Sequence, residues 1–250
     1  MAGHSKWANI KHKKAASDAV KGKVFSKIAK EIMVAARLGG GDPAGNITLR
    51  SLIQKARGAN MPMDNIERAI KKGTGELAGD AMEEIVYEGF APGGVAVVVA
   101  CLSDNRNRTA AEVRHVFSKQ GGNLGTQGSV IRTFSRKGQM FVDASAIGED
   151  ALIELALEAG AEDVQRDGET FEVLTEPSVF NQVLERLTEA GLEPKDAEVT
   201  LLPVTSTPVT EKDKAEALMK FINSLEELDD VQNVYAAFEM EDALLDEVTA

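Results

Sequence analysis

The spacing of hydrophobic residues changes near Gly75, and the balance of charge reverses at the same point. Before it, apolar residues recur at the spacing of amphipathic helices, whereas beyond it short apolar runs with the pattern of strands appear. The first 75 residues hold fifteen lysines and arginines against five aspartates and glutamates, although the whole 250-residue chain carries a formal net charge of −12. These two changes predict a basic helical module joined to an acidic body, in a chain long enough for two or three domains.

Three short helices are predicted in the basic segment. The first is expected at about 17–38, where six apolar residues form one stripe, and the second at about 46–57. The third is expected to begin at Asp64, because Asp64 and Glu67 have the spacing of a capping box. Helices of this length are marginal in isolation, so we expect them to pack into a small bundle.

Strands and helices alternate after Gly75. Strands are expected at 84–87 and 95–99, followed by a helix that Thr109 and Glu112 would open as a capping box, and then by strands at 129–134 and 139–142. From 139 to 202 the predicted order is β-α-β-β-α-β, with a type I′ hairpin turn at Asp167-Gly168, as in ferredoxin-like folds. A helix at 212–228 and a strand at 231–238 would end the fold.

The predicted fold class is therefore α+β: an N-terminal three-helix domain followed by two ferredoxin-like α+β domains, one inserted in the other. Counting the elements on each side of the β-α-β-β-α-β unit divides the chain into three parts. They are a basic helical domain at 1–77, a discontinuous α+β domain at 78–135 plus 206–240, and an inserted domain at 136–205.

The basic segment is the expected site of nucleic-acid binding, because basic side chains neutralise phosphates and an exposed indole can stack on a base. Three lysines of the first helix, at i, i+4 and i+7, lie opposite its apolar stripe. A solvated helix face is the alternative explanation for such a row. The expected contact residues here are Lys6, Trp7, Lys11, Lys13, Lys14, Lys23, Lys27 and Lys30.

A second candidate contact is formed by Arg106 and Arg108, which lie where a strand ends and a helix begins. Backbone N–H groups at a helix start, beside two guanidinium groups, suit a phosphate or a carboxylate. The glycine-rich segment 121–128 that follows this helix can be interpreted as an anion-binding loop or as a long turn. The sequence leaves open whether this loop binds an anion, and also whether the lysines of the first helix bind phosphate or only face solvent.

Catalysis is not expected. The three histidines lack metal-ligand spacing, and the only cysteine, Cys101, ends an apolar run, so we expect a buried, reduced thiol. No carboxylates can be singled out as an acid–base pair. We therefore predict no catalytic residue, no metal, no cofactor and no small-molecule substrate. No apolar stretch approaches the length of a membrane span, so neither membrane association nor secretion is expected.

Seven segments together resemble the YebC/PmpR family, a widespread bacterial group that includes the mitochondrial translational activator of cytochrome c oxidase. The matching segments are MAGHSKWANIKHKK at the start, GKVFSKIAKEI from Gly22, GGGDPAGN from Gly39, NMPMDNIERAIKKGTG from Asn60, YEGFAPGGVAV from Tyr87, SDNRNRTAAEVRHVFSK from Ser103 and GGNLGTQGSV from Gly121. One departure is Ala91, where the family usually has glycine. The resemblance implies three domains and a cytoplasmic location.

The resemblance also implies two possible functions. Some members are described as transcriptional regulators that bind promoter DNA, and others act on the ribosome at difficult stretches such as consecutive prolines. Our leading hypothesis is a non-enzymatic, DNA-binding transcriptional regulator. The alternative is a ribosome-associated translation factor that binds ribosomal RNA, because no helix with an obvious base-reading face emerges from the sequence. The absence of a heptad zipper favours a monomer.

Overall fold

A computed structural model describes residues 18–79 and 81–249. The basic segment folds into three helices, which we call the bundle: α1 (Asp18–Gly39), α2 (Ile47–Gly58) and α3 (Met63–Thr74). Their apolar faces meet in a common core that includes Ile32, Leu49 and Ile66, all fully buried. The predicted limits of the first two helices are correct to within one residue at each end.

The starts of α2 and α3 differ in how they are capped. Asn46, which is buried, accepts a hydrogen bond from the backbone N–H of Leu49 and donates to the carbonyl oxygens of Ala35 and Gly40, so it also fastens α2 to the end of α1. Helix α3 has Pro62 at its N-cap and no side-chain cap. The prediction that Asp64 caps α3 is therefore wrong. Proline before the first turn lets the helix begin one residue earlier, and leaves its first N–H groups without a side-chain acceptor.

Helices α1 and α3 come very close together at Gly73. A Cβ atom at Gly73 would lie 2.4 Å from the carbonyl oxygen of Met33 and 2.8 Å from the Cβ of Ala36. Only glycine allows this separation.

Beyond the bundle, ten strands and five helices form what we call the acidic body, residues 81–249. In chain order the first half contains β1 (Glu83–Phe90), β2 (Ala96–Ser103), α4 (Arg106–Lys119), β3 (Asn123–Leu124), β4 (Phe134–Asp143), α5 (Glu149–Glu158) and β5 (Asp163–Asp167). The second half contains β6 (Thr170–Thr175), α6 (Phe180–Glu189), β7 (Lys195–Pro203), β8 (Thr207–Pro208), α7 (Lys212–Glu226), β9 (Val231–Ala236), β10 (Phe238–Glu239) and α8 (Asp242–Thr249).

Two antiparallel four-stranded sheets organise the acidic body. The first has the strand order β3-β1-β2-β9, and α4 and α7 cover one face, where the rings of Phe117 and Phe221 meet edge to face with centroids 4.9 Å apart. The second has the order β5-β6-β4-β7, which is the ferredoxin-like arrangement of a β-α-β-β-α-β unit. This second unit lies in the chain between β3 and β9 of the first sheet. The α+β fold class is confirmed, whereas the exact domain limits remain a prediction.

The predicted strand at 139–142 is confirmed, since it lies within β4, whereas the predicted strand at 129–134 and the predicted start of α4 are wrong. Strand β4 continues without a break through Gly138, where a Cβ atom would come 2.2 Å from the Thr175 hydroxyl oxygen. Residues 129–133 form a turn and a short 3-10 helix instead of a strand. Helix α4 begins at Arg106, with Asn105 accepting a hydrogen bond from the N–H of Arg108, so Thr109 is interior and caps nothing.

The Asp167-Gly168 hairpin is confirmed, but its turn is not type I′. Of the two central residues, Gly168 has a positive φ of 59°, whereas Glu169 is not among the residues with positive φ. A positive φ at the first position alone is typical of type II′. Helix α8 was not predicted at all, because its acidic residues suggested a solvated tail, yet Leu245 is fully buried against the first sheet's core.

Candidate nucleic-acid interface

The three lysines predicted to contact phosphate from α1 face the acidic body. The ammonium groups of Lys23 and Lys27 donate to the carbonyl oxygens of Glu227 and Glu226 at 3.2 and 3.3 Å. Lys27 also donates to the carbonyl oxygen of Gln232 at 3.5 Å. Lys30 donates to the carbonyl oxygens of Leu102 and Asp229 at 3.3 and 2.8 Å. We call Lys23, Lys27 and Lys30 the lysine row.

Three acceptors of the lysine row, the carbonyl oxygens of Glu226, Glu227 and Asp229, lie at the C-terminal end of α7 and in the turn that follows it, and the other two carbonyl acceptors lie in β2 and β9. The last carbonyl groups of a helix have no partner within the helix and carry the negative end of its dipole. Cations placed there are stabilised by both effects. The lysine row therefore joins the bundle to the body across the α7 terminus.

Asp230 is the centre of this contact. It is only 2% exposed, and its carboxylate receives hydrogen bonds from three separate parts of the chain. Lys30 donates to Oδ1 at 2.8 Å, while the hydroxyls of Ser103 and Thr109 lie 2.9 and 2.8 Å from Oδ2. The guanidinium of Arg108 also donates to Oδ2 at 2.8 Å. One carboxylate thus connects α1, the end of β2 and the start of α4.

The Asp230 network fixes its own charge state. Burial by itself would raise the pKa of Asp230, but hydrogen bonds from Lys30, Arg108, Thr109 and Ser103 outweigh it and hold the pKa well below its usual range. The hydrogen bonds that Arg108 itself donates to Asp230 and Asp104 raise the pKa of its guanidinium. Asp230 is therefore an anion at neutral pH, and its neighbours are arranged around a fixed charge.

The remaining predicted contacts lie in different places. Arg108 is bound to Asp230 and also donates to Asp104 at 2.8 Å, whereas its neighbour Arg106 is exposed. Five predicted contacts, Lys6, Trp7, Lys11, Lys13 and Lys14, lie outside the described residues. The roles of all ten residues in nucleic-acid binding remain predictions.

A second set of basic side chains, on α2 and α3, points outward. All are exposed and none forms an ion pair with another described residue. By contrast, Lys55 on α2 pairs with Glu31 at 3.0 Å. Sequence reasoning missed this set, although Arg50 and Arg57 have the i, i+7 spacing of one helix face. We call these the outer basic residues: Arg50, Arg57, Arg68, Lys71 and Lys72.

A shallow groove of about 190 Å³ runs between α1 and α3. Its floor is apolar, and Arg68 and Lys72 stand among its lining residues together with Asn65. Two of the outer basic residues, Arg68 and Lys72, are thus next to an apolar surface on the bundle.

The glycine-rich loop at 121–128 turns out to help bind a carboxylate of the chain itself. Glu88 is 4% exposed and accepts hydrogen bonds from the backbone N–H groups of Gly128, Val130 and Ile131 at 2.7, 2.8 and 2.8 Å. Burial alone would raise the pKa of Glu88, but the three backbone donors together hold it below its ordinary value. These donors are occupied by an internal ligand, which explains why 129–133 does not form a strand.

The described residues contain no group of three or more metal-binding side chains. Cys101 is buried as expected, and burial raises the pKa of its thiol to about 12, which keeps it protonated and a poor nucleophile. In the part of the chain that the structure covers, we find no helix with the length and apolar character needed to cross a membrane.

Comparisons with known proteins agree along the chain. Residues 5–76 match the model of the TACO1/YebC protein N-terminal domain, and residues 82–238 match that of the TACO1/YebC second and third domain. Probable transcriptional regulatory proteins of Magnetococcus marinus and Persephonella marina are each 53% identical to this chain, over 100% of both chains. The crystal structure of a conserved hypothetical protein, Aq1575, from Aquifex aeolicus is 50% identical and has a TM-score of 0.82, over 90% of this chain and 93% of that one. The chain belongs to the TACO1/YebC family.

Proposed function

We propose that this chain is a non-enzymatic, nucleic-acid-binding regulator of gene expression, with DNA as its first candidate target. The observation that carries the proposal is the set of outer basic residues, five exposed cations on α2 and α3 of an otherwise acidic protein. Because they form no ion pair with a described residue, binding phosphate would not require breaking an existing contact. The relatives in Magnetococcus marinus and Persephonella marina are named probable transcriptional regulatory proteins, and this supports the choice of DNA.

The distribution of charge supports the bundle as the binding surface. Phosphate contacts fix a protein's position on a nucleic acid and dominate its affinity, so they require exposed cations. The acidic body repels phosphate, which leaves the bundle as the favoured docking surface. The N-terminal lysines Lys6, Lys11, Lys13 and Lys14 would add to the same attraction, since they belong to the same basic segment.

The test is a charge reversal on α2 with a matched control on the body. We expect the double variant R50E and R57E to bind a fluorescent DNA duplex at least about tenfold more weakly at near-physiological salt, because two phosphate contacts become repulsions. The control reverses Arg166 and Arg186, which are exposed cations of the acidic body, and should leave binding unchanged. Affinity is measured by fluorescence anisotropy at several salt concentrations. Equal binding by both double variants would refute the proposed surface.

Sedimentation of a cell lysate identifies the natural target. If the protein regulates transcription, it should remain at the top of a sucrose gradient after nuclease removes DNA. Co-migration with ribosomal subunits that disappears at high salt would instead replace DNA by ribosomal RNA as the target. Failure of the purified protein to bind either nucleic acid would overturn the proposal altogether.

A further inference from the structure

The floor of the groove between α1 and α3 is an apolar surface that a flat apolar group could pack against. Phe25, Ala29 and Met33 follow one another along α1 at a spacing of four residues, and Met61 and Ala69 complete the floor from the opposite side. The residues contributed by α1 are only half-buried. The bundle core therefore ends in an accessible apolar surface that includes an aromatic ring.

The groove lies beside the close contact of α1 and α3. The two helices touch at Gly73, and the groove is lined by residues of both helices that lie at or before this contact and by Met61. Before α3, Asn60 adopts a positive φ of 60°, and the N–H of Met61 bonds to the carbonyl oxygen of Ala56. This turn leads the chain back so that Met61, 6% exposed, closes the groove.

The polar side chains around the floor suit a nucleotide. Arg68 and Lys72, one turn apart on α3, are exposed and form no ion pair with a described residue. Asn65 is half-buried and lies about one turn before Arg68 on the same helix. Its side-chain amide can both donate and accept hydrogen bonds. The start of α3, which has no side-chain cap and lies two residues before Asn65, adds the positive end of a helix dipole.

The volume favours one small ring system. At about 190 Å³ the groove is smaller than the roughly 300–1,000 Å³ typical of pockets for drug-sized molecules. A nucleobase has a flat π-face that stacks on phenylalanine, and its edges offer hydrogen-bond groups to an amide. Within a duplex those faces are already stacked, so only an unpaired base could enter.

We propose that the groove receives one unpaired base of a single-stranded nucleic acid. The base lies on Phe25 between Met33 and Met61, Asn65 contacts its edge, and Arg68 and Lys72 bind the flanking phosphates. The proposal rests on the proposed function, and adds that the protein prefers nucleic acid where a base is unstacked.

The first test uses the unmodified protein and three probes: a labelled oligothymidine strand, a strand of the same length with an abasic centre, and a duplex. The proposal predicts that the intact strand binds about tenfold more tightly than the abasic strand, since stacking of one base is lost. Equal affinity for these two strands would overturn the proposal.

The second test locates the base. The variant F25L keeps an apolar side chain of similar size but removes the aromatic face, and it should bind the intact strand several-fold more weakly while binding the abasic strand as before. The double variant R50A and R57A is the control, because these arginines are not among the residues that line the groove. It should weaken binding of all three probes by a similar factor.

The outcomes separate the two proposals. If R50A and R57A weaken every probe but F25L changes none, the groove proposal fails and the proposed function stands. If no probe binds, the proposed function fails first. Thermal unfolding of each variant checks folding, and if F25L is unstable, N65A provides the same comparison of intact and abasic strands.

Discussion

The bundle carries two sets of basic side chains, of which one is bound to the acidic body and the other is exposed to solvent. The lysine row on α1 is bound to carbonyl oxygens and to Asp230 of the acidic body, whereas the outer basic residues on α2 and α3 meet solvent. Both belong to the same basic segment and both stand opposite apolar stripes, so neither composition nor periodicity separates them. The difference teaches that a basic face is defined by what packs on it, and that here one part of the positive charge holds the domains together.

The largest expected effect comes from removing the negative charge of Asp230, on which the contact between the bundle and the acidic body depends. In the variant D230N, Lys30 and Arg108 lose their buried anionic partner, which typically costs about 3–5 kcal/mol. We expect urea unfolding to show a loss of this size. The control E227Q changes an exposed side chain and keeps the backbone carbonyl that Lys23 uses, so it should change the free energy of unfolding by less than about 1 kcal/mol. Equal losses in the two variants would show that Asp230 is not the centre of the contact.

Features that depend on neighbouring residues could be predicted from the sequence, whereas features that depend on contacts between distant residues could not. The bundle helices were predictable because their stripes and glycine stops are local signals. The role of Lys30 was not, since its partner Asp230 is 200 residues away in the sequence. The same applies to Glu88, whose backbone donors near residue 130 prevented a predicted strand. Local patterns locate helices and strands, but pairings between distant residues decide which charges remain exposed.

The start of α4 was predicted wrongly. The Thr-x-x-Glu spacing indicated Thr109 as the N-cap, whereas Asn105, another residue of a type that favours N-caps, takes that position in the structure. The Thr109 hydroxyl instead donates to Asp230 at 2.8 Å. The helix starts one turn earlier than predicted, and the partner that Thr109 has in its place is 121 residues away in the sequence.

A matched pair of substitutions sharpens the comparison between the two cation sets. K30M should lower the free energy of unfolding by about 1.5–3 kcal/mol, because it removes charge-assisted hydrogen bonds to the buried Asp230. R50M should change it by no more than about 0.5 kcal/mol, because Arg50 is exposed. In nucleic-acid binding the order should reverse, with R50M flattening the salt dependence and K30M leaving it unchanged. Urea titration and anisotropy measure the two effects.

Acid titration tests whether a buried carboxylate held by backbone groups behaves like one held by cations. The pKa of Glu88 lies below its ordinary value of 4.5 in the folded protein, so its contribution is complete above that value and is lost as the pH falls through the folded pKa. We expect E88Q to be about 1–3 kcal/mol less stable than the unmodified protein at pH 7. The gap should narrow as the pH is lowered below about 4.5. A gap that is constant from pH 7 to pH 3 would contradict this account.

The smallest change in stability is expected at Arg106. Helix α4 repeats the contrast between exposed and bound cations within one turn, because Arg106 is exposed and Arg108 is bound. Arg106 is exposed, so R106A should change the free energy of unfolding by no more than about 0.5 kcal/mol. Its neighbour Arg108 is bound to Asp230 and Asp104, and R108A should therefore be clearly less stable in the same urea titration. If Arg106 contacts phosphate as predicted, R106A also reduces the salt slope of binding by about one, whereas a slope equal to that of the unmodified protein limits the interface to the bundle.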